Sequence, residues 1–366
     1  MIRKVRRVMH AVATFLGLLP TLLLPANYST AYAAPQAPLD TPTPLVNDVF
    51  AFWTLKDGML YWATECFGGE FRNSVTLKRK AVNSALIRTL SDVSALKCLT
   101  FRNMAADATG IYYYNYDDSQ IEFRPSGSPY DPPTPVLKSV SGIATELAID
   151  GDNLYWVDPK AKLVRVHTDG SGFTEILTTG LNPNSLLVNK GNAYWLDDTG
   201  LWTANVACAA PPCAKNKLLD TKGNNLYRYV TDALSSSLYW VEYGKAANDP
   251  PKIRRYSCSI VGCTPTTLYT AANTNWTIGQ MATNGSDLFW PESFYDNNTN
   301  ARDGVLRKLA AGKSTPVDIA VNLPNIGLDL ALDNANVYFG VYAGAPNQTA
   351  SGIYGLPFTA GGITRD

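Results

Sequence analysis

The chain has 366 residues, with 31 Lys or Arg against 31 Asp or Glu, and it is rich in Tyr (20), Trp (8), Gly (27) and Pro (23) but holds only two His. Balanced charge without basic runs argues against an electrostatic nucleic-acid binder. The near absence of histidine removes most triad and His-ligated metal chemistry.

In chain order, the first feature is a leader. Arg3, Lys4, Arg6 and Arg7 precede an apolar run from Ala11 to Leu24, and Ala31-Tyr32-Ala33 has the small-x-small form of a cleavage site. This predicts a secretory signal peptide over residues 1–33. Pro20 interrupts the run, which is shorter than the roughly 18–20 residues of a membrane span, so no stable insertion is expected after cleavage. No Cys lies beside the cleavage site to carry a lipid. Removing the four basic leader residues takes 31 Lys and Arg to 27 against 31 acids, a mildly acidic chain. The expected location is secreted, extracellular or periplasmic. Residues 34–44, rich in Pro and small side chains, read as a flexible spacer, and 45–366 as a single domain.

That domain is periodic. An aliphatic residue and two aromatics recur as Leu60-Tyr61-Trp62, Ile111-Tyr112-Tyr113, Leu154-Tyr155-Trp156, Leu238-Tyr239-Trp240, Leu288-Phe289-Trp290 and Val337-Tyr338-Phe339, with Ala193-Tyr194-Trp195 as the small-residue version. The first aromatics stand at 61, 112, 155, 194, 239, 289 and 338. Their separations match the ~40–50 residues of a four-stranded propeller blade. The third copy gives the pattern: 146–150 as inner strand A, the turn Gly151-Asp152-Asn153, 154–157 as strand B, 162–167 as strand C, a turn at 168–172, and 174–177 as outer strand D. The expected fold is all-β, a seven-bladed β-propeller of four-stranded antiparallel blades. Its repeated aromatics form inter-blade core rather than ligand platforms.

Tyr155-Trp156-Val157-Asp158, Tyr194-Trp195-Leu196-Asp197 and Tyr239-Trp240-Val241-Glu242, with Thr168-Asp169-Gly170 after strand C, resemble the YWTD repeat of low-density-lipoprotein-receptor-type propellers and of bacterial secreted propellers of that kind. Other copies depart at the third or fourth place. The resemblance implies the architecture; that receptor family closes with six blades, whereas seven are counted here, so no ligand is carried over.

The last copy lacks an outer strand, and residues 44–48 are expected to supply it and join the chain ends. All six Cys fall after the leader, which suits an oxidising compartment. Cys208 with Cys213 and Cys258 with Cys263 are expected to bridge the C–D hairpins of blades four and five, leaving Cys66 with Cys98. Zinc held by thiolates is the rival reading, disfavoured by the wide spacing and by export.

His167 is the one histidine outside the leader. It ends a strand on the face opposite the usual propeller binding site and reads as a solvated strand-end residue. No nucleophile elbow, P-loop or dinucleotide fingerprint is present, Asp150-Gly151-Asp152-Asn153 lacks the distal Glu of a calcium loop, and no cofactor is expected. Strands B end in Asp158, Asp197, Asp198, Glu242 and Glu292. Paired carboxylates there could serve a glycosidase or lyase, but acids recurring with the repeat read first as strand-end caps. The loops after strand B are tight in blades three and four and long in blades one, five, six and seven, which are consecutive in a closed ring. Such loops commonly carry function. They offer Phe67, Tyr243, Phe294, Tyr295 and Tyr342 as aromatic faces and Glu70, Arg72, Glu242, Glu292, Asp296, Asn297 and Arg302 as polar groups, with Trp276 opening on the same face. The Pro-rich stretch 125–133 belongs to the other face and reads as a stiff loop. The expectation is a monomeric, non-catalytic binding or scaffold protein for a protein, peptide or glycan; the alternative is a polysaccharide-active propeller enzyme.

Overall fold

The computed structural model describes residues 44–358 except 49, 65–74, 94–103, 116–117, 128–131, 181, 184, 221–224, 232–236, 245–248, 258–263, 297–300, 324–325 and 342–350; of 50–52, 75, 91–93, 225–231, 295–296, 301–302 and 328 only the backbone is described. There is no helix among these residues. They form seven antiparallel sheets, each with its strands in the spatial order A-B-C-D.

Blade one comprises Phe50–Lys56, Met59–Thr64, Val75–Ala81 and Arg88–Val93. Blade two comprises Met104–Ala106, Gly110–Asn115, Gln120–Pro125 and Thr134–Leu137. Blade three has Ala148–Asp150, Asn153–Val157, Lys162–His167 and Thr174–Thr178, within two residues of the expected limits. Blade four has Ser185–Asn189, Asn192–Asp197, Gly200–Asn205 and Lys215–Asp220. Blade five has Asn225–Thr231, Leu238–Tyr243, Lys252–Tyr256 and Thr266–Thr270. In blade six, strand A is divided into Trp276–Ile278 and Ala282–Thr283, followed by Leu288–Asp296, Ala301–Leu309 and Val317–Ala320. Blade seven takes Ile326–Leu332, Asn336–Val341 and Gly352–Pro357, and its strand D is Pro44–Val46 from the start of the domain. The inner strands touch in sequence, and that of blade seven meets that of blade one, closing the ring.

The repeated phrase explains the ring. Side chains along a strand alternate between faces, so the aliphatic residue and second aromatic share one face of strand B and the first aromatic takes the other. The structure sends the former pair toward the preceding blade and the latter toward the next. Leu60 and Trp62 pack with Tyr338 of blade seven, and Tyr61 packs with Ile111 and Tyr113 of blade two. Tyr112 meets Leu154 and Trp156, Tyr155 meets Trp195, Leu196 meets Trp240, Tyr239 meets Trp290, and Phe289 meets Phe339. Each of the seven apolar clusters is therefore one seam between neighbouring blades. Because strand B is buried on both faces, it reads as a continuous apolar run. Burying one such side chain contributes roughly 1.5–3 kcal/mol, against about 1 kcal/mol for a typical hydrogen bond, so the seams outweigh the turns in holding the ring.

The turns set register. Lys190 and Gly191 both take positive φ (49° and 73°) in the A–B turn of blade four, as a two-residue hairpin requires. Five residues before the first aromatic stands an Asx: Asp107, Asp150, Asn189, Asn284 and Asp333. Asp107 accepts from Thr109 N (2.7 Å), Gly110 N (3.0 Å) and the Tyr112 hydroxyl (3.1 Å). Asp333 likewise accepts from Ala335 N, Asn336 N and the Tyr338 hydroxyl. Although burial opposes it, these donors hold the Asp333 carboxyl below its ordinary range.

Closure follows the expected route with a shorter strand. Val46 is opposite Ile353 and Pro44 opposite Tyr354. Two residues beyond the strand, Asp48 accepts from Trp62 Nε1 (3.1 Å) and Lys78 Nζ (2.7 Å), and Lys80 Nζ donates to the Leu45 carbonyl. One short segment thus completes blade seven and grips blade one. The Cys208–Cys213 disulfide closes the C–D hairpin of blade four, with Cα atoms 5.8 Å apart. Cys213 N donates to Ile176 O of blade three at 2.9 Å, fixing that hairpin to its neighbour. Cys66, Cys98, Cys258 and Cys263 lie outside the described residues.

Candidate functional site

In this fold the B–C loops and the D–A connections share one face, and the A–B and C–D turns the other. The tight B–C turns of blades three and four consume their acids. Asp158 Oδ1 accepts from Lys160 N (2.9 Å) and Lys162 N (2.8 Å). Asp197 accepts from Thr199 N (2.8 Å), Thr199 Oγ1 (2.6 Å) and Gly200 N (3.1 Å), and its other oxygen reaches Gly180 N (3.1 Å) on the link from blade three. Asp198 accepts from Asn182 Nδ2 at 2.7 Å.

Blades five and six differ. Glu242, next to last in its strand B, is opposite Lys252, and its carboxylate pairs with Arg254 Nη1 at 2.9 Å. Glu292 occupies the equivalent place in blade six, two residues after the second aromatic. Its side chain is wholly buried, and it meets Arg307 Nη1 at 3.1 Å. It also accepts from the Tyr269 hydroxyl (3.0 Å) and Trp290 Nε1 (3.3 Å). Arg307 Nε lies 3.0 Å from Asp318, and its guanidinium also donates to the Tyr269 hydroxyl. Burial pushes the Glu292 carboxyl above its ordinary range, against the pull of Arg307 and of the Tyr269 and Trp290 hydrogen bonds. Burial, then the charge of Glu292, raises the Tyr269 phenol.

Above this polar cluster stand three partly exposed aromatics. Trp276, opening strand A of blade six, is opposite Phe294 across the pair with strand B. The two rings lie 5.4 Å apart at 46°. The Arg307 guanidinium carbon is 5.6 Å from the Trp276 ring centre and 5.3 Å from that of Tyr269. Tyr243 donates its hydroxyl to Ile278 O at 3.3 Å, and with Tyr269 and Trp276 it packs on the core of the five–six seam. A local break makes room. Pro291, inside strand B, has no N–H to give, and strand A is divided opposite it, with Gly279 N donating to Pro291 O at 2.8 Å.

Of the residues singled out from sequence, Tyr243, Glu242, Trp276, Glu292 and Phe294 are thus placed at the blade five–six end of one face. Glu242 and Glu292 lie within strands rather than on loops, and Glu292 has no surface with which to touch a ligand. Tyr295, Asp296 and Arg302 belong to the blade six hairpin with only their backbones described; Phe67, Glu70, Arg72, Asn297 and Tyr342 lie outside the described residues. His167 sits on the opposite face, half-buried, its N–H donated to Ser171 O at 2.9 Å. Hydrogen bonds from Ser171, foremost, hold the adjacent Asp169 carboxyl low. Among the described residues, no three His, Cys, Asp or Glu side chains gather as a metal site.

The residues missed from sequence are Arg254, Arg307, Tyr269 and Asp318. A signal for the two arginines was present. The strand C residue opposite the second aromatic is basic in blades one, five and six: Lys78, Arg254 and Arg307. It is Glu122, Val164, Trp202 and Tyr354 in blades two, three, four and seven. Each basic residue finds an acid near the B–C face.

No protein-family model matches the chain, and no curated protein is significantly similar to it. Solved structures do share the fold. A puromycin hydrolase is 12% identical, with a TM-score of 0.62 over 88% of this chain and 55% of its own. An oligogalacturonate lyase in complex with manganese is 11% identical, with a TM-score of 0.59 over 88% of this chain and 96% of its own. The extracellular domain of a hybrid two component system from B. thetaiotaomicron is 13% identical, with a TM-score of 0.54 over 84% of this chain and 38% of its own. At such identities the likeness is one of fold, and the chain is a seven-bladed β-propeller similar in architecture to a hydrolase, a lyase and an extracellular domain.

Proposed function

We propose that this is an exported binding propeller that engages a protein, peptide or glycan through the B–C face of blades five, six, seven and one, without chemistry of its own. The observation that carries this reading is the contrast between the acids and the aromatics on that face. Asp158, Asp197 and Asp198 are taken up by turns and neighbours, and Glu242 and Glu292 by arginines. Tyr243, Trp276 and Phe294 stand on strands and keep part of their surface, the last two packed ring against ring. A preorganised aromatic surface suits binding, whereas acid–base cleavage needs carboxylates that reach the substrate. The leader and the Cys208–Cys213 bond support export.

A polysaccharide-cleaving reading has one observation in its favour, the raised carboxyl of Glu292. Its burial speaks against it. Both readings are tested by thermal melts of the exported chain (residues 34–366) and its His167→Ala variant against oligosaccharides, peptides, calcium and a chelator. A binding protein is stabilised by its ligand, equally in both forms. Loss of the effect in His167→Ala, or a sugar found cleaved after incubation, would overturn the non-catalytic reading.

A further inference from the structure

We propose that Trp276 is the platform on which the ring of a neutral oligosaccharide stacks; this rests on the binding reading and names its ligand class. The eight tryptophans divide sharply. Trp53, Trp62, Trp156, Trp195, Trp240 and Trp290 are buried. Trp202 is partly exposed on blade four, but it stacks on Trp195 (6.4 Å, 8°) and lies in strand C with the ammonium groups of both Lys215 and Lys217 4.9 Å from its ring centre. Trp276 alone combines free surface with a place on the long-loop face.

Its orientation is set before any ligand arrives. Arg307 lies against the indole, and Phe294 flanks it at 46°. Arg307 is itself held between Glu292 (3.1 Å) and Asp318 (3.0 Å). An aromatic fixed in this way loses little freedom on binding, and its face matches the C–H face of a pyranose. Hydroxyls at the ring edge need polar neighbours. The exposed Asn273 and Asn275 precede Trp276 in the D–A connection, with Asn273 Oδ1 accepting from Asn275 N at 2.9 Å.

Charge selects the class of sugar. Arg254 is matched by Glu242 (2.9 Å), Lys252 by Asp249 (2.5 Å), and Arg307 by two acids. Exposed Asp303 accepts from Gly304 N (2.8 Å) and adds negative charge at the rim. Among the side chains described around Trp276 no cation is left over to neutralise a uronic acid, and bringing one to this end would oppose like charges. A neutral chain meets no such cost.

The test is calorimetric titration of the exported chain with cellohexaose, mannohexaose, chitohexaose and hexagalacturonate. At least one neutral hexasaccharide is expected to bind, and more tightly than hexagalacturonate. Trp276→Ala should weaken that binding by roughly tenfold or more, the scale of one well-made aromatic contact. Trp276→Phe, which keeps a ring and so guards against a folding defect, should weaken it less and abolish the ligand-induced change in tryptophan fluorescence. Trp202→Ala should bind as the parent does. Tighter binding of hexagalacturonate, no binding of any neutral sugar, or unchanged binding by both Trp276 variants would each overturn the proposal. A neutral sugar bound independently of Trp276 would defeat the platform and leave the binding reading standing. Stabilisation by peptides alone in the melt screen would defeat the sugar and leave the face.

Discussion

Blades three and four carry the same strand B phrase as blades five and six, yet end it in different chemistry. In blades three and four the acid is Asp and the B–C turn is tight, so the carboxylate folds back onto the N–H groups of its own turn, as Asp158 does with Lys160 and Lys162. In blades five and six the acid is Glu and strand B continues past it. The longer side chain there reaches across to strand C, where Arg254 or Arg307 meets it. A repeat position thus changes from a local cap into a cross-strand ion pair through one methylene and one basic residue. The ion-paired blades are those that bring Tyr243, Trp276 and Phe294 to the surface.

The comparison extends to blade one, which has the basic residue, Lys78, but Thr64 where the Glu would stand. The missing acid comes from the closing segment as Asp48, bound to Lys78 and to Trp62. Removing residues 41–48 therefore takes away both the outer strand of blade seven and the acid of blade one, and exposes the edge of Gly352–Pro357. This is the largest effect expected: a fall in melting temperature of many degrees, read by circular dichroism. An unchanged melt would show that the ring closes by other contacts.

The pairs in blades five and six differ in burial, which predicts unequal consequences of breaking them. Arg307→Met takes the guanidinium away from buried Glu292 and Asp318, a loss of about 3–5 kcal/mol for a buried pair broken on one side. Arg254→Met affects Glu242, whose side chain is 16% exposed against 0% for Glu292, and should cost less. Urea denaturation of the two variants measures the gap directly. Equal losses would mean that the blade six cluster is no more dependent on its arginine than the less buried blade five pair.

How much of this was legible in sequence depends on the range of the contact. The seven seams were readable because strand B is buried on both sides and its alternation is written in consecutive residues. The closing strand was readable by counting what blade seven lacked. The Asx five residues before the first aromatic is equally local and periodic, but Lys56 and Leu234 occupy that place in blades one and five, and the irregularity hid it. The support beneath Trp276 was not readable. Arg307 comes from the partner strand of a long hairpin, Tyr269 from the preceding blade and Asp318 from the outer strand, so only the folded ring brings them to Glu292. Read along the chain, Glu292 resembled the end of a loop-bearing strand; in the fold, Pro291 and the divided strand A extend the hairpin past it and bury it.

The smallest effect separates the same two pairs by pH. Burial raises the Glu292 carboxyl above the unfolded value, which for a glutamate is about 4.3. A carboxyl raised in the folded state binds its proton more tightly there, so its stabilisation is fully present below the unfolded value. It is lost as pH rises through the folded one, because ionisation must then occur away from water. Stability measured by urea from pH 4 upward should therefore carry a component that declines with rising pH. Glu292→Gln, which cannot ionise, should remove that component while keeping the hydrogen-bonding shape of the side chain. Glu242→Gln should leave it in place, since Glu292 and its partners are untouched in that variant. If Glu292→Gln and the parent show parallel pH profiles, Arg307 offsets the burial, and the pair beneath Trp276 stays ionised across the range rather than giving way to a protonated glutamate as pH falls.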